Sequence, residues 1–416
     1  MTAVDQLWGG WLPGSRWFQG KDRPILTCSI TALPWYASRG DIWLRSELAI
    51  VDLGSRQETY HLLVGYVRPG LAPAAAVVGQ IDLPELGLVD LVDAPAWPPA
   101  MRVFLRAARA GAVAGLTWHG PPPAADCVIE TYTGEQSNST VRFGDDHLMK
   151  LFRKLTPGGS LEAQVLRDLA DSPVTPALLA TWSSPDDSLG LVCQRIHPAQ
   201  DGFNYARQAC ADGRAIDQPL ADLGRALARL HADLARVYGT ATAETAELSQ
   251  SMLVRLDQAC AAVPALAGRR AGLRRALALP PQTVTVQRLH GDFHLGQALV
   301  SPAGWTIIDF EGEPLKSPAE RIAPDAVWRD LAGGLRSLDY ARAAAATPGQ
   351  AGRDWYRRAR ACFLAGYLGR ATAPPALLTA YEVDKAIYEL VYETRNRPDW
   401  AEIPRQAIEA FADRPD

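Results

Sequence analysis

Cysteine is sparse in this chain and forms no motif. The six cysteines, Cys28, Cys127, Cys193, Cys210, Cys260 and Cys362, are scattered, and none makes a C-x-x-C pair. That argues against a disulfide framework or a zinc ribbon and fits a reducing compartment. Positive charge is not in excess either: 42 Lys and Arg stand against 46 Asp and Glu, a formal net charge of −4. Such a balance gives no generic attraction to phosphate backbones, so nucleic acid is not an expected partner. No apolar run approaches the ~18 residues of a membrane span, so no membrane partner is expected. Residues 1–10 carry Asp5, neither Lys nor Arg and no long apolar stretch, so no signal peptide is expected. The expectation is a soluble, cytoplasmic protein. Two nucleotide motifs are also missing. The segment Gly14–Lys21 has the wrong spacing for a Walker loop and is followed by Asp22, and no G-x-G-x-x-G precedes Lys150.

What is present is a globular composition: 416 residues, 48% hydrophobic and 21% charged. At roughly 150 residues per domain this suggests two or three units, and it excludes wholesale disorder. Residues 1–91 read as strand-rich, with 41–51 and 58–67 alternating or running apolar between turn residues. Pro-rich stretches at 94–99 and 121–123 punctuate a second region, 92–197. There Cys127–Tyr132, Ser139–Phe143 and His147–Phe152 read as strands and Leu161–Leu169 as a helix, with Gly190–Ile196 expected to close the sheet. After Pro198 the pattern turns helical. Leu220, Leu223, Leu227, Leu230 and Leu234 mark one buried face, and the Ala-rich stretches 257–279 and 326–346 read as helices. On the first of these, His231 reads as a structural histidine.

The most informative segment is Leu289–Glu311. Gln297–Val300 and Trp305–Ile308 are short strand-like runs around the turn Ser301–Gly304. Folded as a hairpin, they set Gln297 nearly opposite Ile308 and Asp309, and opposed residues lie ~5 Å apart at Cβ. An amide oxygen and a carboxylate so placed can share one hard cation at ~2.1 Å, which suits Mg²⁺. Asp292, five residues before Gln297, is free to face a second substrate, as phosphoryl transfer to a hydroxyl requires. A lone Asp near a turn is commonly an Asx cap, but the H-x-D-x-x-x-x-Q grouping followed by D-F-E argues against that for Asp292 and Asp309 together. The alternating His290, Asp292 and His294 offer a distant alternative, a zinc-dependent hydrolase.

A nucleotide would need an anchor. Lys150 sits in an apolar strand, where it either snorkels outward or points at a buried anion. Glu162, twelve residues on, opens a helix and can pair with it. The polar segment 135–140, with Ser137, Asn138 and Ser139, can cradle phosphates in place of glycines, or it is an ordinary hairpin turn.

Several motifs together carry a resemblance. They are the segment around Asp292, Ile308–Pro314, Ala319–Asp325, Arg329–Tyr340, Arg16–Lys21, Lys150–Arg153 and Asp384–Arg395. In these the chain resembles the actinobacterial maltokinase group of the aminoglycoside-phosphotransferase-like kinases, over nearly its whole length. In size it is similar to the glucosamine kinases of the same architecture. The resemblance implies an α+β fold, two-lobed and protein-kinase-like (aminoglycoside phosphotransferase-like), with an N-terminal β-rich cap subdomain and a helical C-lobe. The expected divisions are 1–91 for the cap, 92–197 for the nucleotide-binding sheet and 198–416 for the C-lobe. It also implies ATP and Mg²⁺ as cofactors, with Asp292 as catalytic base and Gln297 and Asp309 as metal ligands. Glu311 would assist a second metal, Lys150 would hold phosphate with Glu162 positioning it, and Gln194, Arg195 and Ile196 would present backbone groups to adenine. Asp330 is expected to brace the catalytic loop.

The acceptor is expected to be a small sugar. On the C-terminal helix, Val383, Ile387, Leu390 and Val391 fall on one side at 100° per residue, with Tyr388, Tyr392, Glu389 and Glu393 on the other. Those tyrosines and carboxylates can form a wall for a sugar, or they are a solvated face. Trp400, Asp201, Asp325, His294 and Arg329 complete the candidates for substrate contact, together with Asp292. Carboxylates in a closed pocket select an amine by roughly ten- to hundredfold, whereas a disaccharide needs a longer groove. Glucosamine is therefore the first expectation, giving glucosamine 6-phosphate, and maltose, giving maltose 1-phosphate, the second.

Overall fold

The computed structural model describes residues 2–413 except 22, 36, 112–114, 133–137, 157, 314–315, 346–348 and 372–374. The chain divides into one unit of residues 1–167 and 176–197 and another of 168–175 and 198–416. Among the described residues no helix is long and apolar enough to cross a membrane.

The first unit opens on α1 (Ala3–Trp11), started by a reciprocal capping box between Thr2 and Asp5. The buried Asp5 also accepts the Ile30 N–H at 2.8 Å, so one carboxylate both starts the helix and ties it to β1 (Thr27–Ala32). With β2 (Ala37–Arg39), β3 (Ile42–Asp52), β4 (Gln57–Val67), β5 (Val77–Leu83) and β6 (Gly87–Asp93), a sheet forms in the order β1-β3-β4-β6-β5, β2 pairing with β3. The two stretches read as strands, 41–51 and 58–67, are β3 and β4, and they pair from Ile42↔Val67 to Asp52↔Gln57. Trp8, Leu12, Trp17 and Phe18 share one buried core with Leu62, Val64 and Tyr66.

After α2 (Pro98–Arg109) a second sheet is built from β7 (Thr117–His119), β8 (Ile129–Thr131), β9 (Ser139–Phe143), β10 (His147–Leu151), β11 (Leu178–Ser183) and β12 (Ser188–Gln194), with α3 (Leu161–Asp168) between β10 and β11. Its order is β7-β11-β12-β10-β9-β8. The last strand therefore does not close the sheet, as the sequence suggested; it lies inside, between β10 and β11. Leu189, Leu191, Val192 and Cys193 are all buried, and a strand buried on both faces cannot serve as an edge. Gly190 is required here, because a Cβ would come within 2.2 Å of the Trp182 ring.

Just after β10, Arg153 is fully buried. Its Nη2 reaches both oxygens of Asp93 at 2.7 Å and its Nε donates to Ser139 Oγ at 2.8 Å. Its guanidinium lies 4.3 Å from the centroid of the Trp17 ring, and backbone bonds from His61 to Arg153 and from Leu155 to Thr59 stitch the same segment to β4. Removing one partner of a buried ion pair costs about 3–5 kcal/mol. Arg153→Met is therefore expected to lower the unfolding free energy by about that amount in urea titrations; a change below about 1 kcal/mol would contradict this reading of the pair.

In the second unit the described elements are β13 (Gln200–Asp201), α4 (Gly202–Ala211), α5 (Asp217–Tyr238), β14 (Thr240–Glu244), α6 (Thr245–Ala262), α7 (Arg270–Leu277), β15 (Thr283–Gln287), β16 (Ala298–Ser301) and β17 (Gly304–Ile307). They are followed by α8 (Pro318–Ile322), α9 (Trp328–Ala344), α10 (Gly349–Leu368), α11 (Pro375–Asn396) and α12 (Glu402–Ala412). The leucine stripe of α5 is buried throughout, and His231 on that helix is buried with it. Leu377, Tyr381, Ile387 and Leu390 of α11 pack with Met252, Leu256, Leu273, Leu277 and Ile408. One close approach positions the site. At Gly333 of α9 a Cβ would lie 2.2 Å from the Phe293 carbonyl oxygen, so α9 sits directly against the loop that carries Asp292.

Candidate active site

The loop from Leu289 to His294 leaves β15 and is shaped by one carboxylate. Asp330, in the first turn of α9 and wholly buried, accepts the N–H of His290 at 2.9 Å and of Gly291 at 3.0 Å. It also bonds His231 Nε2 at 3.0 Å, and His231 Nδ1 meets the Tyr367 hydroxyl at 2.8 Å. Gly291, at φ 84°, makes the bend that turns both N–H groups inward. Burial pushes the Asp330 carboxyl up, but the hydrogen bond and charge of His231, with His290 and the Gly291 N–H, hold it below the ordinary 3.8. Its stabilising contribution is thus present above the unfolded value and is lost as pH falls through the folded one. Asp330→Asn would replace one acceptor oxygen by an N–H donor facing other donors. It should cost about 1–3 kcal/mol, the penalty of a buried unsatisfied group, and melting curves at neutral pH should show it; an unchanged curve would contradict the bracing role.

His290 links this loop to the next hairpin. Its Nε2 meets the Ile308 carbonyl at 2.9 Å, and its Nδ1 receives the Asp292 N–H at 3.4 Å. His294 accepts the Gly296 N–H at Nδ1, 3.0 Å away. The two histidines of the zinc alternative therefore have structural tasks, and among the described residues no metal-ligand cluster includes either of them.

β16 and β17 pair from Ala298↔Ile307 to Ser301↔Gly304, and the Ile308 N–H bonds the Gln297 carbonyl at 2.9 Å. Gln297 and Asp309 come together as the hairpin argument required: Gln297 Nε2 donates to Asp309 Oδ2 at 2.9 Å. Asp309 is the one non-glycine residue at positive φ (69°) among those described. Such a conformation costs of order 1–3 kcal/mol and is kept where surrounding structure fixes it. Asp309 and Glu311 bring carboxylate oxygens within 4.8 Å of each other, and the Glu311 carbonyl accepts from Arg321 at 3.1 Å. A half-turn of the Gln297 amide presents Oε1 instead of Nε2. The donor set is then all hard oxygen, which fits a divalent cation such as Mg²⁺.

The expected sugar wall on α11 is only partly present. Glu393 is buried, bonded to Arg397 at 2.7 and 2.9 Å and to the Tyr340 hydroxyl at 3.3 Å. Glu389 pairs with Arg336 Nε at 2.9 Å, and burial raises its carboxyl pKa. Both carboxylates thus turn toward α9, because α11 is packed on more than one side. Tyr388 and Tyr392 stack with centroids 6.4 Å apart, and Tyr392 is exposed. Trp400 stacks on Tyr340 at 6.0 Å. Asp201 is occupied as the N-cap of α4, with Asn204 taking both oxygens at 2.9 and 2.8 Å. Asp325 receives the Tyr381 hydroxyl and Arg329, which also bonds Glu313 at 2.6 Å. Sequence reasoning missed Glu313 and Lys385. Lys385 Nζ lies 3.5 Å from Asp292 Oδ1 and 3.7 Å from Glu313 Oε1. Burial alone would lower its pKa, yet the carboxylates of Asp292, Glu313 and Glu389 raise it, so it is charged. The available signal was its position one helical turn before Tyr388 and Glu389.

In the first unit, Lys150 Nζ meets Glu162 Oε2 at 2.7 Å, as the strand-and-helix spacing suggested. The polar segment differs from expectation. Ser137 lies outside the described residues, while the Asn138 side-chain oxygen accepts the Arg153 N–H at 3.2 Å and Ser139 holds Arg153 Nε. Asn138 and Ser139 thus shape the start of β9 and do not stand open as a cradle. The N–H groups of Gln194 and Arg195 bond the Ala177 and Asp146 carbonyls at 2.8 Å, so these two donors are engaged within the protein. Lys150→Met should raise the KM for nucleotide at least tenfold with the fold intact by circular dichroism; an unchanged KM would remove Lys150 from the phosphate site.

Residues 128–323 match the family described as "Phosphotransferase enzyme family", and residues 11–96 match "Maltokinase N-terminal cap domain". The middle of the chain is thus similar to this phosphotransferase family, with a match to a maltokinase-type cap ahead of it. More particularly, the chain is 29% identical to a glucosamine kinase of Streptacidiphilus jiangxiensis, over 78% of this chain and 88% of that protein. It is 27% identical to one of Mycolicibacterium smegmatis, over 72% and 85%. The fold matches a solved glucosamine kinase in complex with glucosamine, ADP and inorganic phosphate at TM-score 0.63 and 22% identity, covering 92% of this chain and 93% of that one. A second crystal form of a glucosamine kinase matches at 0.65 over 98% and 99%.

Proposed function

We propose that this protein is an ATP-dependent glucosamine kinase that transfers the γ-phosphoryl group to the 6-hydroxyl. The observation that carries this reading is the likeness to glucosamine kinases along most of both chains, joined to the convergence of Asp292, Gln297 and Asp309 on one loop and hairpin. Lys150, held by Glu162, neutralises the nucleotide phosphates, and the Ile196 N–H meets the base. Gln297, Asp309 and Glu311 would hold Mg²⁺, which when bound offsets the charge spread over the transferring group. Asp292 orients the acceptor hydroxyl and takes its proton. The transition state is loose, so alignment and charge neutralisation contribute more than proton removal.

A second reading has its own support. The cap matches a maltokinase domain, which favours maltose as acceptor and an anomeric phosphate as product. The two separate in one experiment: ADP release is measured with glucosamine, glucose, maltose and aminoglycosides, and the product is then treated with mild acid. Release with glucosamine and an acid-stable phosphate is expected. Release confined to maltose with an acid-labile product would overturn the proposal. General-base assistance is typically worth ~10²–10⁴-fold, so Asp292→Asn should lose turnover by that order while still binding nucleotide. Near-normal turnover would exclude Asp292 as base. Asp309→Ala should abolish the Mg²⁺ dependence of turnover along with turnover itself; activity that still rises normally with Mg²⁺ would exclude it as a ligand.

A further inference from the structure

A chain of three polar side chains leads from α10 to the loop that carries Asp292. The hydroxyl of the half-buried Tyr367 lies 2.8 Å from His231 Nδ1, and His231 Nε2 lies 3.0 Å from Asp330 Oδ2. The same Oδ2 accepts the His290 N–H at 2.9 Å, so one oxygen serves both the ring and the loop. The direction of each bond follows from which groups can donate. Asp330, held below the ordinary carboxylate range, is ionised and can only accept, so the His231 ring carries its proton on Nε2. Burial and the Asp330 charge push the Tyr367 hydroxyl up, so it keeps its proton and donates it to the Nδ1 lone pair. The ring is thus gripped at both nitrogens. Held at one alone it can turn, because the outer torsion of a histidine is broad. The far end of the chain is equally fixed, since α5 and α10 touch through glycines. A Cβ at Gly366 would lie 2.0 Å from the Ala221 carbonyl oxygen, and one at Gly224 2.6 Å from the Tyr367 nitrogen. In a low dielectric such a chain is costly unless every member is satisfied, and what it adds is a single geometry.

We infer that Tyr367 is a positioning residue for phosphoryl transfer: its hydroxyl fixes the His231 ring, the ring fixes Asp330 Oδ2, and that oxygen fixes the His290 N–H two residues before Asp292. The inference rests on the proposed sugar-kinase reading. Helix α10 reaches the loop in a second way, through Phe363, which stacks on Phe293 with centroids 6.5 Å apart. That contact is apolar packing and holds the loop against the helix, whereas the hydrogen-bonded chain sets the orientation of its backbone. Removing the Tyr367 hydroxyl leaves the packing in place and frees the His231 ring to turn. Asp330 Oδ2 then keeps the His290 N–H but loses its second fixed donor, and the loop loosens next to the residue that must align the acceptor hydroxyl. Misalignment of that kind slows the chemical step more than it weakens the binding of either substrate.

The test is Tyr367→Phe in the full chain, assayed with ATP, Mg²⁺ and glucosamine. Turnover should fall about tenfold, the scale of one lost hydrogen bond, with both KM values within about twofold of the wild type. A tyrosine that only supports the fold would lower the melting temperature and leave kcat unchanged well below it, and that result overturns the inference. A second readout does not depend on activity. With isotope-labelled histidine, long-range proton–nitrogen correlation should show the wild-type His231 ring protonated at Nε2, with Nδ1 as an acceptor, and this pattern should shift or broaden in Tyr367→Phe. A wild-type ring protonated at Nδ1 overturns the inference even where the variant fails to fold. Slower turnover in Tyr367→Phe with an unaltered ring spectrum overturns it too. Turnover of glucosamine by the wild type with kcat unmoved in the variant refutes the role of Tyr367 alone. A wild type that phosphorylates no sugar refutes the functional reading and this inference with it.

Discussion

Three hydrogen-bond donors, the N–H groups of His290 and Gly291 and the ring of His231, converge on the buried carboxylate of Asp330, and the placement of Asp292 follows from that convergence. An anion taken fully out of water is costly unless several donors meet it. Here two of the three donors belong to the loop itself, so satisfying the carboxylate fixes the loop's conformation at His290 and Gly291. His290 then passes the constraint to Ile308, one residue before Asp309. The loop with the candidate base and the hairpin with the candidate metal ligands are thereby fixed by a single chain of hydrogen bonds.

Around this rigid part the charges are distributed in two ways. Arg153 with Asp93 and Arg336 with Glu389 are buried ion pairs at 2.7 and 2.9 Å; they hold architecture. Lys385 with Asp292 and Glu313 is a wider, partly exposed arrangement. The tight pairs fix their elements, while the wider one leaves its groups partly open to solvent. The positive φ of Asp309 is strain of the kind that only rigid surroundings hold in place.

The hairpin that joins Gln297 to Asp309 was legible in the sequence because a two-strand register follows from its turn alone. The pairing of Lys150 with Glu162 was expected from the strand lysine and helix glutamate of kinases, and the buried stripe of α5 from its three- and four-residue spacing. The interior position of β12 depends on which neighbours a buried strand acquires, and the residue pattern reports only that it is buried. The sugar wall failed in part because a 100° projection separates two faces of α11 but cannot say that α9 covers the second. Glu389 and Glu393 therefore looked free and are paired. Asn138 and Ser139 looked like a phosphate cradle because their partner, Arg153, is itself fixed by Asp93, 60 residues before it in the chain. Lys385 escaped attention for a related reason: a lysine on a helix has no meaning until the loop carrying Asp292 is brought to it.

On the proposed function, a nucleotide's terminal phosphoryl group passes to a hydroxyl of an amino sugar beside the loop braced by Asp330. Phosphorus NMR of the protein with ATP, Mg²⁺ and glucosamine tests this most directly. The γ-phosphate signal should be replaced by a phosphomonoester coupled to two methylene protons, formed in step with ADP and only when the sugar is present. Inorganic phosphate as the sole new product, or a spectrum unaffected by the sugar, would contradict it.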